Sequence, residues 1–510
     1  MHKEVGTVAE HDAYDVIIVG YGPVGAMMGL LLKEQGLRAL ILERDTVVQP
    51  FPRAAHFDDE AIRVYQAVGL SHLADAMGNP PRYQYYDKDW TPFLARLFPT
   101  GISNQGFKYD FMFYQPDVER AMRAELEQGL GAPDVQLGVT VTAIDQDVDG
   151  VTVRATDASG AEHSFRAGWV VGCDGATSLV RKTIGARYEQ IAESRQWYIV
   201  DIELLGDAAD DPGDDQWEYC DPERIVTYIQ LSGPYRRFEF DVKPGESEAD
   251  LGTPERTWEL MSPWFKPHEA RIMRNDIYKF HSLLAETWRD GRLLIAGDAA
   301  HVMTPKLGQG LCTGIRDAAN LAWKLGRVIA GTADESVLDT YQAERREPAR
   351  EYIEISAYMV SQIIQKAEDD GSGPSEGKVE QIVSPRQKIG TDADRTEDDL
   401  IGTLSHQPVL ADGRHMDDLV GYRFNLLTTP EAADALTAQD RMNLLALGAV
   451  VLRADDPALA AWLTETGRQA ILIRPDRYVA GSGGDGADVS RALATAARRY
   501  ASPLLERTPA

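Results

Sequence analysis

The sequence predicts an α/β protein in which a Rossmann-like domain is interrupted by a mostly antiparallel β-sheet and followed by a small C-terminal α/β domain. Three patterns support this prediction. A glycine-rich turn joins an apolar strand to a helix within Asp15–Gly36, and short aromatic-rich β segments fill Trp197–Phe280. From about Leu400 to the C-terminus, strands alternate with helices.

The composition is that of an ordinary globular protein of two or three domains: 510 residues, 44% hydrophobic and 26% charged. Its formal net charge of -28 argues against nucleic acids and anionic membranes as partners, because both attract basic surfaces. Three cysteines without a CxxC motif favour a reducing cytoplasm and predict no metal cluster. No secretory signal is recognisable, and glycines interrupt the longest apolar run, Val16–Leu32, so we expect no membrane span.

The glycine-rich turn indicates a dinucleotide site. Gly20, Gly22 and Gly25 form GxGxxG between a strand and a helix, where glycine lets the backbone approach a pyrophosphate at the helix N-terminus. A second strand follows and ends at Glu43, where an acid bonds the ribose hydroxyls of an adenosine. A turn without a ligand is the alternative, but the surrounding strands, helix and acid favour binding.

Two polar residues further along are candidates for cofactor contacts. Arg53 lies in a loop after a proline and could neutralise phosphate or approach a cofactor ring; a surface arginine is the alternative. Gln115 begins a predicted helix and can donate its amide to a cofactor or serve only the helix start. Between them, Asp58 is the predicted N-cap of a helix that ends at Ala67.

Two Asp-Gly or Gly-Asp turns recur at strand ends. Asp174 follows a buried strand and precedes a helix that begins with Ser178. Gly297 and Asp298 follow the apolar strand Leu293–Ala296. A carboxylate placed where glycine lets the backbone approach closely is suited to binding a polyhydroxylated chain such as a ribityl group.

The inserted β segments predict a wall for a hydrophobic substrate. Tyr219, Phe238 and Phe240 could line it, although packing in a core is the favoured alternative for each. Arg237 is a candidate partner for a substrate carboxylate, with a solvated strand arginine as the favoured alternative.

The C-terminal third begins with a helical region, Val337–Lys366, and a polar segment, 367–399, which reads as a linker or mobile excursion. The predicted strands of the last domain are Tyr422–Leu427, Ala449–Arg453 and Gln469–Ile473; its predicted helices are Ala432–Leu447, Pro457–Thr466 and Val489–Tyr500. This domain contains no cysteine, which excludes a thiol redox role for it.

With these motifs in view, the chain resembles the FAD-dependent aromatic hydroxylases of the p-hydroxybenzoate hydroxylase fold. GYGPVG, CDGATSLVR and GDAAHVMTPKLGQG carry the resemblance. Within the group it is most similar to 3-(3-hydroxyphenyl)propionate hydroxylases, through PRAAHFDDEAIRVYQAVGL, QWYIVDI, RRFEFDVKPGE, GIRDAANLAWKL and RPDRYVA. The C-terminal domain is similar to the thioredoxin-like appendage of phenol-hydroxylase-type members, which serves packing or dimerisation.

The resemblance implies a domain division. The FAD-binding domain would comprise residues 1–80, 105–190 and 281–366, and the substrate-binding domain residues 81–104 and 191–280. Residues 367–399 would be a linker, and 400–510 the thioredoxin-like domain.

The resemblance also implies roles for individual residues. The implied cofactor-binding residues are Gly20, Gly22, Gly25, Glu43, Arg44, Arg53, Gln115, Asp174, Gly297, Asp298, Gly310, Leu311 and Cys312. Pro305 would lie at the flavin face near the substrate, and the backbone amides around Leu311 and Cys312 would face the flavin N1 and O2 edge, which makes these three the implied catalytic positions. Many relatives have Asn at the position of Cys312 and a more apolar loop in place of Thr304-Pro305-Lys306, so substrate preference is expected to differ there.

The implied activity is hydroxylation of a phenol, next to its hydroxyl group, to a catechol, with NAD(P)H and O2 as co-substrates and 3-(3-hydroxyphenyl)propionate or a similar phenol as substrate. Arg44 is the one basic residue between Glu43 and Arg53, which favours NADH because the 2′-phosphate of NADPH favours a positive cluster. The alternatives are a FAD monooxygenase of antibiotic or polyketide aromatics and a non-catalytic flavin-binding protein. A homodimer is compatible with the resemblance.

Overall fold

The described part of the chain comprises residues 14–80, 82–97, 101–206, 215–368, 377–378, 384–390 and 392–502 of a computed structural model. In chain order its strands are β1 (Tyr14–Val19), β2 (Ala39–Glu43), β3 (His56–Asp58), β4 (Arg82–Asp87), β5 (Pro92–Leu97), β6 (Asp110–Met112), β7 (Asp134–Leu137), β8 (Val139–Gln146), β9 (Val151–Asp157), β10 (Glu162–Gly172), β11 (Tyr188–Leu204), β12 (Gln216–Cys220), β13 (Val226–Gln230), β14 (Tyr235–Asp241), β15 (Ala270–Ala285), β16 (Arg289–Asp290), β17 (Leu293–Ile295), β18 (His301–Val302), β19 (Gly377–Lys378), β20 (Asn425–Thr428), β21 (Val450–Arg453), β22 (Ala470–Ile473) and β23 (Val479–Gly483). Its α-helices are α1 (Pro23–Glu34), α2 (Asp59–Ala67), α3 (Gln115–Leu126), α4 (Leu179–Thr183), α5 (Glu248–Leu251), α6 (Pro254–Met261), α7 (Gly310–Ile329), α8 (Asp339–Glu368), α9 (Asp392–Glu397), α10 (Met416–Val420), α11 (Pro430–Ala435), α12 (Ala438–Leu447), α13 (Pro457–Thr466) and α14 (Gly486–Tyr500).

The predicted Rossmann-like sheet is confirmed. Its strand order is β16-β17-β10-β1-β2-β7, in which β17, β10, β1, β2 and β7 are parallel, and β9 and β8 continue from β10 as antiparallel strands. Val16–Val19 of β1 and Ala39–Leu42 of β2 are apolar and buried because both faces of this sheet are covered. Parallel strands end at the same edge, so the sheet brings Gly20, Glu43, Asp174 and Asp298 to one side of the domain.

The predicted mostly antiparallel sheet is also confirmed, in the order β18-β15-β11-β14-β13-β12-β4-β5-β19. Within it, β12 runs parallel to β4 and β19 parallel to β5, while the other neighbours are antiparallel. β11 and β15 are the longest strands of this sheet, with irregularities in their register. β18 lies directly between Asp298 and the loop before α7, so this sheet and the Rossmann-like sheet meet at the candidate site.

The C-terminal domain has the predicted thioredoxin-like arrangement. β20 and β21 are parallel, and β22 and β23 add antiparallel strands on the other side of β20, in the order β21-β20-β22-β23. β23 is absent from the prediction because VAGSG carries four small residues and no hydrophobic alternation. The predicted helix Ala432–Leu447 is two helices, since Thr437 caps α12 in a reciprocal pair with Asp440 and ends the preceding helix.

Several other local predictions hold or need correction. Asp58 caps α2 through its side chain, as predicted, and Ser178, predicted to begin the next helix, is the N-cap of α4. Much of the predicted linker lies outside the described residues, but Gln387 and Ile389 within it are buried, so this part is packed against the rest of the chain. None of the described helices combines the length and apolarity needed to cross a membrane.

Candidate active site

The glycine-rich turn forms an open cradle at the N-terminus of α1. Gly20 has a φ of +101°, and a Cβ there would lie 2.4 Å from the Cys173 carbonyl oxygen. A Cβ on Gly25 would lie 2.0 Å from the Gly20 carbonyl oxygen, so both glycines are required by packing. Gly22, in contrast, faces open space within 4 Å, and as the N-cap of α1 it leaves the first amides of the helix without a side-chain cap. Such a helix end binds anions.

Glu43 is held beside this cradle at the end of β2. The Tyr21 N–H donates to Oε2 of Glu43 at 2.6 Å, and the Asp45 N–H donates to Oε1 at 2.9 Å. Both carboxylate oxygens are therefore oriented, with lone pairs still available for ribose hydroxyls. The neighbouring Arg44 is exposed.

The loop that carries Arg53 is clamped through its backbone. Gln115 Oε1 accepts the N–H groups of Arg53 at 2.8 Å and of Ala54 at 2.7 Å, while its Nε2 donates to Glu119 at 2.6 Å. Gln115 is also the first residue of α3, so it combines a helix start with a loop clamp. The Arg53 side chain is exposed, and its guanidinium has no hydrogen-bond partner among the described residues. The clamp thus fixes the loop through its backbone and leaves the guanidinium donors of Arg53 available to a ligand.

Asp298 presents its side chain next to the end of β17. The residue is exposed, yet burial in the surrounding protein raises the pKa of its carboxyl, against the opposing charges of His301 and Arg53. The Tyr188 hydroxyl donates to the Asp298 carbonyl oxygen at 2.7 Å and fixes its backbone. Gly297, with a φ of +61°, makes the turn from β17.

One carboxylate oxygen of Asp174 accepts hydrogen bonds from the first N–H groups of α4. Oδ2 accepts the N–H groups of Leu179 at 2.6 Å and Val180 at 3.3 Å. Oδ1 is buried and has no partner among the described residues, and burial raises the pKa of the carboxyl. This oxygen is left for a group that the described residues do not supply.

The loop before α7 places Pro305 and the first helical amides at the same edge. α7 starts at Gly310 with Gln309 as its N-cap, so the N–H groups of Gly310, Leu311 and Cys312 have no partner within the helix. Pro305 and Leu311 are half-buried. The Cys312 thiol is fully buried near the carbonyl oxygens of His56 and Gly308, and burial raises its pKa well above the usual value. Its backbone, not its sulfur, is therefore offered to a ligand.

His56 contacts the loop before α7 and is absent from the site residues predicted from sequence. Its Nδ1 lies 3.1 Å from the Gly308 carbonyl oxygen, and its Nε2 lies 2.7 Å from Asp110 Oδ1. Gly308 has a φ of +69°, and a Cβ there would lie 2.7 Å from the imidazole. The only local signal was its place in the loop after Arg53.

The antiparallel sheet turns one face towards the loops of the site. Glu218, Thr227 and Glu239 are direct cross-strand neighbours on β12, β13 and β14. With Arg237 they define what we call the inner face. Lys306, next to Pro305, lies between them: its Nζ is 3.3 Å from Glu218 Oε1 and 3.1 Å from Glu239 Oε2. The loop before α7 is thereby attached to the inner face by a buried charge cluster.

The aromatic residues predicted to line a substrate wall lie on the opposite face. Side chains alternate along a strand, so Phe238 and Phe240 point away from Arg237 and Glu239. Both are fully buried in a core with Trp217 and helix α6. Tyr219 shares that face, stacks on Trp90 at 4.5 Å and donates its hydroxyl to the Lys88 carbonyl oxygen. Packing, the favoured alternative for these three residues, accounts for their positions.

Arg237 is buried, so the interpretation as a solvated strand arginine is wrong. Its guanidinium donates to Asp201 Oδ1 at 2.7 Å and to the Arg53 carbonyl oxygen at 3.0 Å. Arg274 approaches the same carboxylate, with 2.6 Å between its Nη2 and Asp201 Oδ2. Arg237 therefore joins the inner face to the Arg53 loop, and two guanidiniums share one carboxylate.

These features fit FAD. The open space at Gly22 accommodates a pyrophosphate at a helix N-terminus, Glu43 presents fixed oxygens for a ribose, and Asp298 offers an exposed carboxylate. The partnerless Oδ1 of Asp174 and the free amides at the start of α7 add polar groups that a ligand can satisfy. The described residues contain no group of three or more His, Cys, Asp or Glu side chains that could hold a metal ion.

Comparison with known proteins identifies relatives of this architecture. The family described as "FAD binding domain" matches residues 13–356. The chain is 38% identical to a probable NADH-specific resorcinol 4-hydroxylase of Rhodococcus jostii (strain RHA1), over 70% of this chain and 66% of that protein. It is 31% identical to 3-(3-hydroxy-phenyl)propionate/3-hydroxycinnamic acid hydroxylase 1 of Burkholderia vietnamiensis (strain G4 / LMG 22486), over 94% of this chain and 91% of that protein. The match to the Rhodococcus protein thus spans slightly less than two thirds of that relative's length.

Solved structures share the fold. A complex of aklavinone-11 hydroxylase with FAD and aklavinone superposes with a TM-score of 0.81 at 24% identity, over 97% of this chain and 100% of the other. The p-nitrophenol 4-monooxygenase PnpA from Pseudomonas putida DLL-E4 superposes with a TM-score of 0.61 at 26% identity, over 71% of this chain and 95% of the other. The likeness to the first extends through the C-terminal domain and concerns the fold alone.

Proposed function

Because the chain belongs to the family of FAD-dependent aromatic hydroxylases, we propose that it is a monooxygenase that uses NAD(P)H and O2 to hydroxylate a phenol to a catechol. The observation that carries this proposal is the convergence of Gly22, Glu43 and Asp298 at one edge of the Rossmann-like sheet, opposite the inner face. A non-catalytic flavin-binding protein would not need a second sheet closing the same edge.

We assign the cofactor contacts residue by residue. Gly20, Gly22 and Gly25 shape the pyrophosphate cradle, Glu43 binds the adenosine ribose, and Asp298 binds a ribityl hydroxyl. Further contacts are expected from Arg44, Arg53, Gln115, Asp174 and Gly297, the last three partly through the backbone segments they fix. When bound, FAD would accept hydride from the nicotinamide and activate O2 for transfer of one oxygen atom to the ring.

The chain's own residues would orient the flavin and the substrate, exclude water from the site and stabilise charge on the flavin. The amides of Gly310, Leu311 and Cys312 are oriented to stabilise negative charge at the flavin edge, as hydrogen-bond donors fixed in advance of the reaction. Pro305 closes the reacting side without introducing a donor. The inner face and the clamped Arg53 loop exclude water from the space between the two sheets, which limits wasteful loss of activated oxygen.

The substrate we propose first is 3-(3-hydroxyphenyl)propionate or a similar phenol with an acidic tail. It is supported by the Burkholderia relative and by the two buried guanidiniums of Arg237 and Arg274, which share the carboxylate of Asp201. Nε of Arg274 is buried and has no partner among the described residues. A second candidate is an uncharged phenol such as resorcinol, supported by the Rhodococcus relative, whose name also favours NADH.

A phenol panel tests these proposals. With NADH and NADPH in parallel, both cofactor consumption and catechol formation are measured for each phenol, because a compound that only stimulates cofactor oxidation is not a true substrate. Arg274→Met is expected to raise KM for the phenylpropionate and to leave KM for resorcinol unchanged. Equal effects on both phenols would remove the support for an acidic tail. A protein that stays colourless when FAD is added would refute the proposed function.

A further inference from the structure

A buried chain of hydrogen bonds connects the C-terminal domain to the start of α7. It begins at Tyr478, directly before β23, whose hydroxyl donates to Glu60 Oε1 at 2.8 Å. Tyr478 and Glu60 are each only 2% exposed. A tyrosine of the C-terminal domain thus reaches α2 of the Rossmann-like domain without contact with water.

Glu60 in turn contacts Arg316 of α7. Its Oε2 accepts from Arg316 Nε at 2.5 Å and from Ser384 Oγ at 2.5 Å. Arg316 is also buried. Its guanidinium lies over the Tyr352 ring, and its Nη2 pairs with Asp58. Burial would lower the pKa of Arg316, but the charges of Asp58 and Glu60 raise it well above the usual value. The guanidinium is therefore charged and held from two sides.

Arg316 in turn fixes Gln309, the N-cap of α7. Its Nη1 donates to Gln309 Oε1 at 3.0 Å, and Gln309 Nε2 donates to Asp58 Oδ2 at 3.0 Å. The Gln309 carbonyl oxygen accepts from the N–H and the hydroxyl of Thr313 at 2.9 and 2.8 Å. The side chain and the backbone of Gln309 are both fixed, immediately before the amides of Gly310–Cys312.

The hydrogen bond between Glu60 and Arg316 fixes the orientation of both side chains. A guanidinium has five donors in a rigid fork, so the position of Arg316 depends on where Glu60 places its carboxylate. Glu60 lies in the first turn of α2 and is oriented by its three donors, of which the tyrosine hydroxyl comes from the C-terminal domain. We call the set Asp58, Glu60, Gln309, Arg316 and Tyr478 the junction cluster.

We propose that the C-terminal domain supplies a positioning residue, Tyr478, which acts through the junction cluster to hold the start of α7 against the flavin. This role rests on the proposed function, and it gives the cysteine-free domain a part in the reaction beyond packing or dimerisation. Loss of the tyrosine hydroxyl is expected to loosen the α7 amides, so that FAD binds more weakly and more NADH is consumed without product.

The test compares Tyr478→Phe with Tyr422→Phe. Tyr422 also belongs to the C-terminal domain, is 5% exposed, and donates its hydroxyl to the Ala319 carbonyl oxygen in the middle of α7. Both variants lose one buried hydroxyl by which the C-terminal domain hydrogen-bonds to the Rossmann-like domain, Tyr478 to Glu60 on α2 and Tyr422 directly to α7, so a purely structural role predicts equal effects. The junction cluster predicts that only Tyr478→Phe raises the FAD dissociation constant, by roughly tenfold, and increases H2O2 released per NADH.

Hydrogen exchange on the FAD-free protein provides a readout that does not depend on activity. The amides of residues 310–313 are expected to exchange faster in Tyr478→Phe than in wild type or Tyr422→Phe. Glu60→Gln, which keeps the shape of the side chain but removes its charge, is expected to reproduce the effect if Tyr478→Phe folds poorly. Equal FAD affinity, coupling and exchange in the two tyrosine variants would overturn the inference. If wild type forms no catechol, the proposed function fails, while FAD affinity and exchange still decide the role of Tyr478.

Discussion

Replacement of Lys306 by Met isolates the charge cluster that attaches the loop before α7 to the inner face. The ammonium lies between Glu218 and Glu239 and 3.9 Å from the centre of the Trp197 ring. Methionine has a similar length and packs well on an aromatic ring, so the variant removes the charge while largely conserving the volume. The two carboxylates then remain buried without a cation.

The expected cost follows from this burial. The side chains of Lys306, Glu218 and Glu239 are 2%, 0% and 1% exposed, so none can turn to water. Breaking a buried ion pair by removal of one partner costs about 3–5 kcal/mol. At about 2–4 °C per kcal/mol for a cooperative unit of domain size, the melting temperature falls by about 6–20 °C. Differential scanning fluorimetry of FAD-free protein measures this shift.

The dependence on pH has a definite sign. Burial already raises the pKa of Glu218 in the wild type, despite the opposing charge of Lys306, and without the ammonium the pKa rises further. A carboxyl whose pKa is raised by folding binds its proton more tightly in the folded state, so its stability contribution is lost as pH increases towards the folded pKa. The melting difference between wild type and Lys306→Met therefore widens as the pH rises above the ordinary pKa of a carboxyl group.

A matched variant separates charge from packing. Lys306→Met combined with Glu218→Gln and Glu239→Gln removes all three charges and is expected to recover much of the lost stability, since an uncharged cluster has no desolvated ion to compensate. A melting temperature of Lys306→Met within about 2 °C of wild type would refute the reasoning, because it corresponds to less than about 1 kcal/mol.

Three further predictions concern the cofactor site. Gly22→Ala is expected to leave the melting temperature of FAD-free protein within about 1 °C and to abolish FAD binding, whereas Gly25→Ala destabilises the apo fold, because only the second Cβ meets protein atoms. Equal melting temperatures for the two would contradict the cradle. Asp298→Ala is expected to raise the FAD dissociation constant about 5- to 150-fold through the loss of a hydroxyl acceptor, with the surface variant Asp149→Ala as control. Undiminished flavin content would count against that contact. Alkylation of the Cys312 thiol by iodoacetamide is expected to be slow in native protein at about pH 8, since burial raises its pKa; rapid labelling followed by mass spectrometry would show that the thiol is accessible.

Local signals made the nucleotide-binding half predictable. Glycines before a helix, an acid at a strand end and Asp-Gly turns each depend on backbone conformation within a few residues, so Gly20, Glu43 and Asp298 could be located from sequence alone. Their convergence follows from the parallel order of the strands. The thioredoxin-like domain was recognisable for the same reason, except where β23 lacks an apolar alternation.

The wall of the site depends on pairing across strands, which sequence separation hides. Lys306 meets Glu218 and Glu239 only because β12, β13 and β14 align in this register. One signal was nevertheless present: Arg237 and Phe238 are consecutive residues of a strand, so they cannot both face the same pocket. The junction cluster is less accessible still, because Glu60 and Tyr478 are separated by 418 residues.

The most direct test of the central claim follows the oxygen atom. Wild-type protein loaded with FAD is supplied with NADH, a phenol from the panel and 18O2, and the product is analysed by mass spectrometry. The account predicts a catechol that carries one 18O atom, formed in proportion to the NADH consumed. A flavin-loaded protein that yields only H2O2 with every phenol, or a catechol whose new oxygen comes from water, would contradict it.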